Sequence, residues 1–222
     1  MESHLSQIIY LVIAWLIYFI VHSILASTPV KMLLSQHLAK YSASYRLLYN
    51  FVAIILLFPI LVMMRHYSGD SLWQWVAPAS WLANGLALLA LTGFIWSLRY
   101  YDSREFLGFT QLSRKDVSAD HHEALTLSPL HRFVRHPWYF FALVIIWTRD
   151  MDAAFLTSAI MMTLYFIIGS RLEEKKLIRY YGETYQIYRE RVPALFPSPW
   201  AYLTDSDAEN LEKKAREDNA IK

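Results

Sequence analysis

The stretch Ile8–Ala26, IIYLVIAWLIYFIVHSILA, decides the fold class. It runs for 19 residues and holds one side chain that titrates near neutral pH, His22. A helix needs roughly 20 apolar residues to cross the ~30 Å hydrocarbon core of a bilayer. A helix that is apolar all round belongs in a membrane or a large protein interior, not on a soluble surface. Ile8–Ala26 therefore reads as a transmembrane helix, and comparable blocks follow it. Leu47–Met64 carries Asn50 and Pro59 within an apolar run, and Trp81–Leu98 and Ala153–Gly169 are two more.

One block is too short. Trp138–Thr148 has 11 residues, or about 16 Å at ~1.5 Å per residue. Extending it back to Pro129 gives a sufficient length and sets Arg132, Arg135 and His136 at the end of a membrane helix. The turn Arg149-Asp150-Met151-Asp152 then closes a helical hairpin. The expectation is an all-α polytopic membrane protein forming one membrane domain over residues 1–222. It has about five transmembrane helices (8–26, 46–64, 81–99, 129–148 and 153–170), the last two forming a C-terminal hairpin. A cytoplasmic tail, 171–222, carries an amphipathic helix.

Composition agrees. Of 222 residues, 55% are hydrophobic, and the mean hydropathy is +0.24. The net charge of +2 gives no reason to expect a nucleic-acid partner. With no cysteine, disulfides, thiolate nucleophiles and cysteine-ligated metals are excluded. Met1–Gln7 lacks Lys and Arg and no small-residue cleavage site follows, so a cleaved signal peptide is not expected.

Orientation follows from counting Lys and Arg, which accumulate on the cytoplasmic side. With five spans and an outer N-terminus, nineteen of the 21 basic residues fall inside. Lys31, Lys40 and Arg46 lie in or beside the first inner loop. Arg99, Arg104, Arg114, Lys115, Arg132 and Arg135 lie in the long inner segment 99–137, and ten more follow from Arg171 onward. Only Arg65 and Arg149 fall outside, and a four-span reading that merges the hairpin loses this alternation. The location expected is a bacterial inner membrane, with the C-terminus in the cytoplasm. Ser113–Leu127 is polar and reads as a surface loop. Thr204–Lys222 mixes acids and bases and reads as a solvated, helical end.

Two clusters could carry chemistry. The first is Arg132-Phe133-Val134-Arg135-His136-Pro137-Trp138-Tyr139, where Pro137 starts a helix because its missing N–H would be unpaired anyway. Arg132 and Arg135 could equally snorkel to lipid phosphates, but lipid anchoring does not require the imidazole of His136. The second cluster is Arg171-Leu172-Glu173-Glu174-Lys175-Lys176-Leu177. Carboxylates at the mouth of a span pair or bind something. At ~100° per residue, Arg171, Glu174, Ile178 and Tyr181 share one helix face. Glu173 points elsewhere with Leu177, where it could make an ordinary pair with Lys176. Both ends of the hairpin emerge on one side, so the clusters converge. The aromatics of Tyr181-Gly182-Glu183-Thr184-Tyr185-Gln186-Ile187-Tyr188 suggest an amphipathic helix on the membrane surface, able to cover the site. His22 is a further candidate, with a hydrogen-bonded core histidine as the plainer alternative. His121 and His122 beside Glu123 lack a convincing further ligand, so no metal is expected.

Three blocks carry a resemblance. They are Arg135-His136-Pro137-x-Tyr139, Arg171-x-Glu173-Glu174-x-x-Leu177, and Tyr181-Gly182-x-x-Tyr185-x-x-Tyr188-x-x-Arg191-Val192-Pro193. In this order, with a hairpin between the first two, they closely resemble the isoprenylcysteine carboxyl methyltransferase superfamily. His22-Ser23, Tyr45-Arg46-Leu47-Leu48-Tyr49-Asn50 and Phe106-x-Gly108-x-x-Gln111 look like its NnrU-like branch, which includes bacterial methanethiol S-methyltransferases. The resemblance implies S-adenosylmethionine as methyl donor in a cytoplasm-facing pocket. Arg135, His136, Pro137, Tyr139, Glu173, Glu174 and Tyr185 are then the cofactor-binding positions, and Arg171, Glu174 and His22 the catalytic candidates. The acceptor would be a small thiol, methanethiol foremost, or another lipophilic molecule reaching the site from the bilayer. Relatives often have glycine where this chain has Phe141, which would narrow the pocket or face lipid. An NADPH-dependent sterol-type reductase and a non-enzymatic membrane accessory or sensor are the competing readings.

Overall fold

The computed structural model describes residues 4–37, 44–102 and 125–220. Phe106, Gly108 and Gln111, the trio His121, His122 and Glu123, and most of the expected loop 113–127 lie outside them. The elements in chain order are α1 (His4–Ala26), α2 (Thr28–His37), α3 (Tyr45–His66), β1 (Ser71–Trp73), α4 (Ala79–Ser97), α5 (Pro137–Trp147), β2 (Met151–Asp152), α6 (Ala153–Arg191) and α7 (Asp205–Ala220). Short 3-10 turns at Leu98–Tyr100 and Pro129–Arg132 flank α4 and α5.

The protein is an all-α polytopic membrane protein. α1, α3, α4 with its following turn, and α6 are each long and apolar enough to cross a bilayer, and α5 is a shorter apolar helix. Large apolar side chains cover the outsides of these helices. On α1 alone Ile9, Ile13, Leu16, Ile17, Ile20 and Ile24 are exposed, a surface that water would penalise and acyl chains accept.

The helix around span four starts later than the sequence suggests. α5 begins at Pro137, not Pro129, and residues 133–136 are non-helical, with His136 at φ −122° and ψ 71°. The cause is local: a proline ring clashes with a helical conformation at the residue before it. Arg132, Arg135 and His136 therefore sit on the approach to the helix rather than on it.

The described residues form two compact units. In one, α1 packs on α3, with Leu11, Trp15, Ile60 and Ala154 at the centre. Trp15 Nε1 donates to Ser158 Oγ at 2.9 Å, which satisfies an indole N–H that burial would otherwise strand. β1 and β2 pair antiparallel in this unit, Ser71 opposite Asp152 and Trp73 opposite Met151. The turn after α3 is thereby joined to the turn between α5 and α6.

In the other unit α4 packs against α5. Phe141 is buried rather than facing lipid. Its ring lies over Gly93, where an added Cβ would stand 2.7 Å from Phe141 Cζ. Trp138 Nε1 donates to Ser97 Oγ at 2.9 Å one turn further along α4. α6 changes direction at Gly182, whose φ of 57° and ψ of −133° interrupt the helix. On either side of it Tyr181 and then Tyr185, Tyr188 and Val192 form a core with Leu125, Leu127, Leu203, Ala208, Leu211 and Ala215. The tail is thus helical, as expected, but docked: α7 buries one stripe rather than being solvated throughout. The same packing takes the tyrosines of the 183–191 limb into the protein interior instead of onto the membrane. The end of the expected surface loop, Leu125 and Leu127, joins them.

Candidate functional site

The site grows from the approach to α5. With no helix to occupy them, the backbone N–H groups of Arg135 and His136 donate to Pro193 O at 2.9 Å and Ala194 O at 3.0 Å. This pins residues 135–136 against the end of α6. There Pro193 stops the helix, and carbonyls in the last turn have no helical partner. Arg135 supplies one: its Nη1 donates to Arg189 O at 2.7 Å and to Val192 O. A cation at the negative end of a helix is also electrostatically favoured.

The rest of the guanidinium meets Glu174. Arg135 Nε donates to Glu174 Oε1 at 2.9 Å, and Nη2 lies 2.8 Å from the same oxygen. His136 Nε2 stands 3.1 Å from it. All three side chains are buried, those of Arg135 and Glu174 to 8% exposure. A buried carboxylate needs this compensation, because desolvation of an unpaired charge costs several kcal/mol. All three contacts fall on Oε1; Oε2 accepts no hydrogen bond from a described residue.

His136 is enclosed further. Its Nδ1 lies 3.6 Å from Oε2 of half-exposed Glu173. Its ring stacks on Tyr139 at 5.2 Å with 8° between planes, and Tyr139 stacks in turn on Phe166 at 4.7 Å and 11°. Pro137 is buried at the start of α5. His131 is held nearby through its Nδ1, 2.8 Å from Ser128 Oγ. Burial, and after it the charge of His136, pushes the His131 imidazole down to about 4.

Arg135, His136, Pro137, Tyr139, Glu173 and Glu174 thus come together, as the converging clusters predict. The cation on Glu174 is Arg135; Arg171, one turn before it on the helix, is exposed and bonds no described side chain. Glu173 approaches His136 rather than Lys176, whose ammonium lies over the Tyr180 ring at 5.6 Å. Tyr185 is a core residue, 2% exposed and edge-on to Tyr188 at 5.5 Å. His22 belongs to the other unit, its Nε2 2.6 Å from Tyr49 Oη.

Ion pairs and hydrogen bonds to the acidic residues of the tail, which no sequence motif marks, brace the site. Arg191 grips Asp207 with Nη1 at 2.9 Å and Nη2 at 3.0 Å. Thr184 donates to Asp218 at 2.8 Å, and Glu212 accepts the Leu127 N–H at 2.6 Å. Arg132 bonds Leu203 O at 3.0 Å and pairs with Asp205. A signal for the docked tail was present: Ala208, Leu211 and Ala215 fall on one face of a helix.

Fold and cluster together define a polytopic α-helical membrane protein with a buried Arg–His–Glu cluster beside a helical hairpin. The curated homologues of this chain are methanethiol S-methyltransferases. It is 30% identical to methanethiol S-methyltransferase 2 of Bradyrhizobium diazoefficiens over 150 residues, 61% of this chain and 57% of the relative. It is 28% identical to methanethiol S-methyltransferase 1 of the same organism, over 79% of this chain and 62% of the relative. A methanethiol S-methyltransferase of a Pseudomonas species is 46% identical over 69 residues, 31% of this chain and 26% of the relative. The matches therefore span less than two thirds of each relative's length. No family model matches the chain, and no solved structure does.

Proposed function

We propose that this chain is an integral membrane methyltransferase that moves a methyl group from S-adenosylmethionine to the sulfur of a small thiol, of which methanethiol is the favoured example. The observation that carries the reading is the half-used carboxylate of Glu174. Arg135 and His136 saturate Oε1 and fix the group, while Oε2 accepts no hydrogen bond from a described residue. The donor set suits S-adenosylmethionine, which offers an ammonium group and ribose hydroxyls to a carboxylate and a carboxylate to a cation such as Arg171. The names of the homologues point the same way.

When bound, the cofactor supplies an electrophilic methyl group on a sulfonium. The chain's own work is positioning, which accounts for much of the rate gain when two reactants are aligned. Arg135 and His136 hold Glu174, Glu174 Oε2 takes up the donor, and Tyr139 backs the His136 ring. Arg171, solvent-facing one turn before Glu174, favours the thiolate of an arriving thiol by its charge. His22, with its Nε2 2.6 Å from Tyr49 Oη, stays a further catalytic candidate of this reading.

The orientation proposed is N-terminus outside and C-terminus cytoplasmic, with α5 acting as the fourth crossing of a bacterial inner membrane. The pairing of β1 with β2 supports α5 as a crossing, because alternation then puts the α3–α4 and α5–α6 turns on one membrane face. Those turns follow or contain Arg65 and Arg149, the two basic residues assigned outside.

The test is calorimetric binding of S-adenosylmethionine and of NADPH to purified protein, with transfer of labelled methyl to methanethiol. Binding of the methyl donor alone is expected. Glu174→Gln and His136→Ala abolish it while insertion into the membrane is retained. NADPH binding without donor binding would make the protein a reductase, and binding of neither would make it an accessory protein.

A further inference from the structure

After α6 the chain runs through Leu195-Phe196-Pro197-Ser198-Pro199-Trp200-Ala201-Tyr202, and its aromatic side chains have no core to enter. Trp200 is 92% exposed, Phe196 60% and Tyr202 47%. Phe133, 42% exposed, stacks on Tyr202 at 5.7 Å with 20° between planes. Single exposed aromatics are ordinary; four in one short loop and its neighbour are not. The patch is tied to a membrane helix, since Phe196 meets Phe140 in the first turn of α5 edge-on at 6.2 Å and 85°.

α5 has 11 residues, about 16 Å of helix against a hydrocarbon core of ~30 Å. An apolar surface facing acyl chains must be continued beyond its end by something else. Phe196 marks where that continuation begins. Trp and Tyr favour the headgroup level, where an apolar ring and a polar tip are both accommodated. Exposed Arg171, Lys175 and Lys176 in the same unit add the positive charge that anionic headgroups attract.

We propose that the loop 195–202, with Phe133, is embedded in the bilayer interface at the basic membrane face, its partner being the headgroup–acyl boundary of the lipid. The loop completes the membrane-facing surface that α5 is too short to provide. It also sets the depth of the site, because Arg135 and His136 are bonded to Pro193 and Ala194 at its base. This stands on the membrane fold and not on the methyl-transfer reading, so either can fail alone.

The absence of native cysteine makes the test direct. Phe196→Cys, Trp200→Cys and, as a water-exposed reference on α7, Glu209→Cys are each labelled with an environment-sensitive fluorophore. The labelled full chains are placed in vesicles of phosphatidylethanolamine and phosphatidylglycerol containing lipid nitroxide near the headgroup. At 196 and 200 the emission shifts to the blue and is quenched by the nitroxide; at 209 it does neither. In unlabelled protein, Trp200→Phe removes part of the tryptophan fluorescence that brominated lipid quenches. Water-like emission at 196 and 200, with no change in brominated-lipid quenching, overturns the proposal. So does a blue shift without lipid quenching, which would mean that protein covers the loop.

Discussion

Arg135 on the approach to α5 and Glu174 on α6 share two short contacts to one oxygen, Nε at 2.9 Å and Nη2 at 2.8 Å, although 39 residues separate them. This pair closes the base of the hairpin and joins it to the last turn of α6 through Arg189 O and Val192 O. The proposed donor site and the base of the hairpin therefore meet at one carboxylate.

Glu174→Gln leaves the buried Arg135 without its counter-charge. Breaking one side of a buried pair costs about 3–5 kcal/mol, and denaturant unfolding in detergent should show a loss of this order. Arg171→Ala is the contrast. Its side chain is exposed, and stability should stay within about 0.5 kcal/mol of the parent. An equal loss in both variants would mean that Arg171 also supports the carboxylate.

Gly93→Ala tests the α4–α5 contact. The new Cβ would lie 2.7 Å from Phe141 Cζ, and overpacking of this kind costs about 1–3 kcal/mol. The second change Phe141→Leu should restore much of the loss. The midpoints of thermal unfolding for the single and double variants decide the matter, and simple additivity would show that the two positions do not touch.

Gly182 has φ 57° and ψ −133°, a region that is essentially closed to side-chain-bearing residues. Apart from its own stretch of chain, no described residue comes within 4 Å of the Cβ position, so Gly182→Ala acts through the backbone alone. The expected cost is about 1–3 kcal/mol. Amide hydrogen exchange should reveal faster opening of the 183–191 limb and of α7, which packs on it.

His131 gives the fold a pH dependence. Its imidazole is pushed from 6.5 down to about 4 in the folded protein, by burial and then by the charge of His136. Between those values the unfolded chain binds a proton that the folded chain refuses. Stability therefore falls as pH drops through that window, by at most about 1.4 kcal/mol per pH unit. His131→Gln should flatten this part of a stability–pH profile and leave the behaviour above pH 7 unchanged.

Much of this molecule is legible in its sequence, for a physical reason. A bilayer requires some 20 apolar residues per crossing and every backbone group bonded within its own helix, so α1, α3, α4 and the first part of α6 announce themselves. The gathering of Arg135, His136 and Glu174 was legible too, because a tight hairpin must return to the side it left. What the linear pattern left open was decided by packing. Arg171 and Arg135 are both arginines beside a hairpin mouth, and only the end of α6, with its unpaired carbonyls, selects Arg135 as the partner of Glu174. Ala208, Leu211 and Ala215 share one helix face in the sequence, but only the fold shows that the tyrosines of the α6 limb stand opposite them. The start of span four turned on one residue, since the constraint Pro137 imposes on His136 overrides the apolar count. The crossing that began as the run Ile8–Ala26 needed only its own length; the site needed three distant segments to meet.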